Sequence, residues 1–131
     1  MDTNVLFSAV LNPSGTPARL VSSRSIDPVV SGLVLNEFAR TVARKAPQLG
    51  PAARAYLELL SPEVVSEASD EAISFWRDLE FGTDAPVIAA AVAAEVDALC
   101  TGDRRLLRRL PEVKPSLEVI SPSDLLARLS L

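Results

Sequence analysis

The chain has 131 residues, 48% hydrophobic but only 5% aromatic, which suits one domain spanning residues 1–131 with a mainly aliphatic core. Its 17 acidic and 13 basic residues leave a net charge of -4, which excludes nonspecific binding to nucleic acid through a generally basic surface. The absence of histidine and the single cysteine, Cys100, exclude a His-based triad, a His- or Cys-built zinc site and an internal disulfide.

A lone cysteine fits a reducing, cytoplasmic setting. The N-terminus lacks the basic-then-apolar pattern of a secretory signal. The longest apolar stretch, Ala85 to Ala94, is far too short to span a bilayer, so no membrane partner is expected.

In chain order, Val5 to Leu11 is an apolar run following Asp2, and Asn12-Pro13-Ser14-Gly15 breaks it as a loop. Pro17 to Arg24 reads as a short helix capped by Thr16. Pro28-Val29-Val30 is a short β-branched strand, and Ser31 then caps a helix reaching Lys45 before Pro47. Its apolar residues Leu33, Val34, Phe38, Val42 and Ala46 recur near helical spacing.

Pro51 to Leu60 is a second amphipathic helix, and Pro62 to Ser66 a second strand. Asp70 to Leu79 reads as a helix that packs Phe75 and Trp76 in the core or at its edge. After Gly82-Thr83, Asp84 to Glu95 is an Ala-rich helix, with Thr83 or Asp84 as cap and Pro86 in its first turn. Ala98-Leu99-Cys100 is a buried strand, and Asp103 to Leu110 a short helix bearing four arginines. Leu117 to Ile120 is the last strand, and Ser121-Pro122-Ser123-Asp124 starts a final helix. Alternating helices and strands predict an α/β domain with a mainly parallel sheet and right-handed crossovers.

Four acids stand where such a sheet would gather them. Asp2, Asp84 and Asp103 fall at strand-to-helix transitions, and Glu37 lies about two turns into the helix after the first strand, beside Val34, Leu35 and Phe38. Ligands bind beyond the carboxyl ends of the strands in open α/β sheets. Like charges a few Å apart cannot all stay ionised without a cation, and oxygen ligands suit Mg²⁺ or Mn²⁺. Taken singly, an Asp at a helix start is an ordinary cap and a Glu within a helix an ordinary surface residue.

With Asp2-Thr3-Asn4-Val5-Leu6, Leu35-Asn36-Glu37-Phe38, Asp84-Ala85-Pro86 and Thr101-Gly102-Asp103 in this order, the chain resembles the PIN-domain ribonucleases. The likeness is to the branch of toxin components of toxin–antitoxin systems related to the VapC toxins. The resemblance implies a three-layer α/β/α sandwich. It implies Mg²⁺- or Mn²⁺-dependent cleavage of RNA, with Asp2, Glu37, Asp84 and Asp103 as catalytic metal ligands and Asn4 and Thr101 orienting them. It also implies a small cognate antitoxin that masks the site, and a homodimer.

Three positions depart from the family pattern. An apolar strand ahead of the first Asp lies mid-sheet in the family, whereas Met1 alone precedes Asp2 here. The resemblance therefore implies a first central strand cut short in the chain as written, with either the natural start lying upstream or the strand itself missing. At about 25 cal/mol per Å² of apolar surface, losing four or five buried residues costs several kcal/mol, so lower stability is expected than with that strand. Glu95 stands where a Gly often closes the helix, a strained place for a side chain if the backbone is left-handed. Gly82-Thr83 stands where another acid often lies, which leaves four carboxylates at most.

Arg104, Arg105, Arg108 and Arg109 form the densest basic cluster; Arg104 and Arg105, next to Asp103, are candidates to hold RNA phosphates, against the alternative of a solvated helix face. Two other functions compete with the nuclease. One is a catalytically impaired PIN-like protein-binding module. The other is a phosphatase of the haloacid dehalogenase type, which needs Asp-x-Asp and finds Asn4 at the second position.

Overall fold

The computed structural model describes residues 1–12, 14–21 and 25–129, and shows strands paired in parallel and joined by helices. β1 (Val29–Ser31) pairs with β2 (Glu63–Val65), with Val30 opposite Val64. β3 (Ala98–Cys100) pairs with β4 (Glu118–Ile120), with Leu99 opposite Val119. Parallel neighbours require a crossover, supplied by α3 (Gly32–Lys45) and α4 (Gly50–Leu60) in the first pair and by α7 (Arg104–Val113) in the second.

The parallel α/β character is as the sequence predicts, but the described strands form two separate pairs and not one sheet. Between the pairs lies a cavity of about 500 Å³, with Val29, Val30 and Val34 on one side and Leu99 and Cys100 on the other. Met1 lies at this cavity, and its ammonium donates to the Val29 carbonyl at 3.2 Å.

The helices follow their local signals. The apolar run after Asp2 forms α1 (Thr3–Leu11), and α2 (Thr16–Val21) begins at Thr16 itself. The predicted end of α2 at residues 22–24, and Pro13 in the predicted loop, lie outside the described residues. Ser31 caps α3 as expected, its Oγ accepting from the Val34 N–H at 3.3 Å. α5 (Asp70–Trp76) is shorter than predicted because the backbone widens into a π-turn over Arg77–Phe81, where Glu80 is left-handed at φ 68°. A 3₁₀ turn over Gly82–Asp84 follows, and Gly82 supplies the positive φ of 54° that a side chain would resist.

α6 (Ala85–Ala93) closes through Glu95 at φ 53°, so the glutamate takes the left-handed position itself although the sequence suggested a different ending. α7 runs three residues beyond the predicted Leu110, and α8 (Pro122–Leu129) ends the described chain.

Among the described residues, three apolar groups fill the interior. Trp76, Phe81, Ile88, Leu99, Leu106 and Leu110 pack around α6 and β3. Leu6, Val30, Val34, Phe38 and Val42 pack around β1 and α3, and Val87 touches both groups. Val5, Leu20 and Cys100 form a smaller third group with Leu125. α1 therefore places Val5 and Leu6 in different cores. Burying each such side chain contributes about 1.5–3 kcal/mol. Of the predicted aromatic pair, Trp76 is buried while Phe75 is 58% exposed, meeting it edge-on at 5.3 Å between ring centres.

Candidate active site

Asp2 caps α1, and its Oδ1 accepts from the Val5 N–H at 3.0 Å. Its Oδ2 accepts from the hydroxyl of Thr101, a residue 99 positions away and fully buried. The same Thr101 Oγ1 accepts the Asp103 N–H at 3.0 Å. One hydroxyl thus ties the start of α1 to the start of α7. A buried hydroxyl with both donor and acceptor satisfied fixes its neighbours firmly, because losing either bond leaves a polar group unpaired.

Asp103 caps α7, its Oδ1 accepting from Arg105 N–H at 2.8 Å and Leu106 N–H at 3.3 Å. Asp84 stands at the cap position of α6 but makes no capping bond there, so its carboxylate is not engaged with its own helix. Three of the four acids thus stand before helix N-termini, where the backbone dipole favours negative charge.

Glu37 comes from the middle of α3, and its Oε2 accepts from the Thr3 hydroxyl at 3.0 Å. Thr3 is a site residue that sequence reading missed. Its one signal is its place directly after Asp2, since its partner lies 34 residues on. Asn4 behaves differently from the expectation: it is exposed on the first turn of α1, and its side chain makes no hydrogen bond among the described residues.

Electrostatics connect these separate frames. The Asp84 carboxyl is held above the ordinary aspartate range, first by burial and then by the charges of Asp103, Asp2 and Glu37, with Arg105 opposing. Acids 19 to 82 positions away along the chain therefore act on Asp84. Burial lowers the Met1 ammonium below its ordinary value of 8.0, against the pull of Cys100 and Asp2. Burial likewise pushes the Cys100 thiol up to about 11, so it is no nucleophile near neutral pH.

Among the described residues, no three acidic or thiol side chains stand close enough to hold one cation as placed. The donor set nevertheless suits a hard cation. Asp103 uses Oδ1 for its cap and Glu37 uses Oε2 for Thr3, which leaves each a second carboxylate oxygen.

The α7 arginines divide by their spacing. Arg105 Nη2 donates to the Glu80 carbonyl at 2.6 Å, which ties this exposed candidate for RNA contact to the chain. Arg109 Nη2 donates to the Leu79 carbonyl at 3.2 Å, with its guanidinium 5.0 Å from the Phe81 ring centre. Arg104 and Arg108 are exposed and make no hydrogen bond or ion pair among the described residues.

Parallel strands joined by helices, with acids at three helix starts, make this an α/β protein. The PIN domain family matches residues 1–105, which include all four acids, and the chain belongs to that family. No match was found among curated proteins or among solved structures. PIN domains are usually nucleases, bind RNA and generally use divalent metal ions. No helix among the described residues is long and apolar enough to cross a membrane.

Proposed function

We propose that the chain is a Mg²⁺- or Mn²⁺-dependent endoribonuclease, the VapC-related toxin of a type II toxin–antitoxin pair. It would act in the cytoplasm, masked by a small antitoxin, as one three-layer α/β/α domain that forms a homodimer. The observation that carries the nuclease reading is the convergence of the acids on Asp84, which holds its proton more tightly first through burial and then through the charges of Asp103, Asp2 and Glu37. A site that concentrates unneutralised carboxylates is suited to a cation.

Asp2, Glu37, Asp84 and Asp103 would hold the metal, which when bound supplies an activated water and offsets phosphate charge. Thr101 orients Asp2 and Asp103 together, and Thr3 restrains Glu37. Arg104 and Arg108 remain available to the RNA backbone.

One observation favours the second reading, a PIN-like protein-binding module with impaired catalysis: no three acids are near enough to chelate an ion as placed. Calorimetric titration with Mn²⁺ and a cleavage assay on single-stranded RNA separate the two. The nuclease reading expects binding and cleavage, both lost in Asp84→Asn and Asp103→Asn. Asn caps a helix about as well as Asp, so the latter variant should keep its fold. Cleavage retained in both variants refutes the nuclease site, and absence of both activities in the unaltered chain favours the binding module.

A further inference from the structure

The α7 arginines stand one helical turn apart in pairs, and one pair, the exposed Arg105 and the half-buried Arg109, is tied to consecutive carbonyls. Arg105 holds Glu80 and Arg109 holds Leu79, the latter while stacking on Phe81. Phe81 is itself buried and meets the Trp76 ring edge-on at 5.8 Å. This stretch is where the backbone departs from regular helix, with Glu80 and Gly82 at positive φ. A left-handed glutamate persists when its surroundings hold it.

The chain then reaches Asp84 within four residues of Glu80. The helix that supplies both guanidinium groups begins at Asp103. The approach to one carboxylate is thus fastened to the helix that carries another. Arg105 belongs to neither the apolar core nor an ion pair among the described residues, and its bond to Glu80 is exposed. An exposed bond of that kind contributes little to stability, so a role in geometry explains it better than a role in folding.

We infer that Arg105 and Arg109 are positioning residues that set Asp84 against Asp103, while Arg104 and Arg108 face the polynucleotide. This rests on the nuclease reading and deepens it. Holding a metal-ligating carboxylate in place typically changes affinity by about 10- to 100-fold. Arg→Gln removes the positive charge and breaks the present contact. Lys can restore one donor to the carbonyl but not the planar fork.

The test uses the full chain, Mn²⁺ titrated calorimetrically and a fluorophore-labelled single-stranded RNA. Arg105→Gln should weaken Mn²⁺ binding about 10-fold and lower kcat, with KM for RNA within about 2-fold and the melting midpoint nearly unchanged. Arg105→Lys should recover part of the loss. Arg104→Gln and Arg108→Gln should raise KM and steepen its loss with salt, with Mn²⁺ affinity unchanged.

Arg109→Gln risks the packing of Phe81, so the decisive variants are those of the exposed Arg105 and Arg109→Lys, which keeps a cation over the ring. Equal Mn²⁺ affinity in Arg105→Gln and the unaltered chain overturns the inference. Equal weakening in Arg104→Gln also overturns it, because that is a general charge effect. If the unaltered chain binds no Mn²⁺ and cleaves no RNA, the nuclease reading itself falls and the inference with it. Normal metal binding with loss in Asp84→Asn but not in Arg105→Gln refutes the positioning role alone.

Discussion

The two halves that meet at the carboxylates are held in different ways. Asp84 and Asp103 belong to the half built on β3 and β4, where Phe81, Ile88, Leu106 and Leu110 are buried together and two arginines bind the turn before Asp84. Asp2 and Glu37 belong to the half built on β1 and β2, packed around Phe38 and Leu6. There the frame is thinner. Glu37 is restrained by Thr3, Asp2 by Thr101, and Met1 meets β1 through one hydrogen bond. A carboxylate's precision therefore depends on how many independent contacts fix its backbone, more than on the motif in which it stands.

The cavity of about 500 Å³ between β1 and β3 gives the comparison its strongest test. An aliphatic strand of about five residues joined to the Met1 nitrogen should pair with both facing strands and bury apolar surface on both sides. The expected gain is several kcal/mol at about 25 cal/mol per Å², or a rise in melting midpoint of about 10 °C or more. A Gly/Ser extension of equal length is the control. Equal midpoints for the two would show that the halves need no strand between them.

The hydroxyl of Thr101 is the next point at which the halves can be separated. Thr101→Val keeps the shape but leaves Asp2 Oδ2 and the Asp103 N–H without this partner. Burying such groups unpaired costs about 1–3 kcal/mol, read as a lower urea midpoint. Thr101→Ser should recover most of that loss. A change below about 0.5 kcal/mol in Thr101→Val, the range of an ordinary surface substitution, would mean the bridge carries no weight.

How much of this could be read from the sequence follows from the range of each interaction. Asp2, Ser31 and Asp103 were legible as caps because a cap is decided by the three or four residues after it. The short strands and the Ala-rich α6 were legible for the same local reason. The close at Glu95 was legible only as a strained place, and that the glutamate keeps the left-handed backbone was not. The π-turn at Arg77–Phe81 was not, since Asp70 to Leu79 has good helical spacing and the bend depends on partners in α7. An arginine run reads as a solvated face until the packing direction of its helix is known, and only then do Arg105 and Arg109 separate from Arg104 and Arg108. Thr3 and Thr101 were distant from their partners by 34 and 99 residues, and periodicity carries no such information. The separation into two strand pairs depends on the cavity between them, which no local pattern marks.

The smallest expected effect concerns Asp84 and has the opposite sign from most substitutions. Its folded carboxyl binds a proton more tightly than the ordinary value of 3.8, through burial and the neighbouring acids. The ionised form therefore opposes folding. That penalty is fully present above the raised pKa, fades as pH falls from there toward 3.8, and is gone below 3.8, where the group is protonated in both states. Asp84→Asn removes the charge, and Asp84 makes no capping bond that the change would break. In EDTA at neutral pH the variant should melt a few degrees higher than the unaltered chain, and the gap should close toward pH 3. Mn²⁺ should reverse the order, stabilising the chain that keeps its four acids and leaving the variant where it was. A lower midpoint for Asp84→Asn in EDTA would mean that this carboxylate is stabilised by its surroundings, and that the well-fastened half of the molecule was not built to hold a charge at the expense of its own stability.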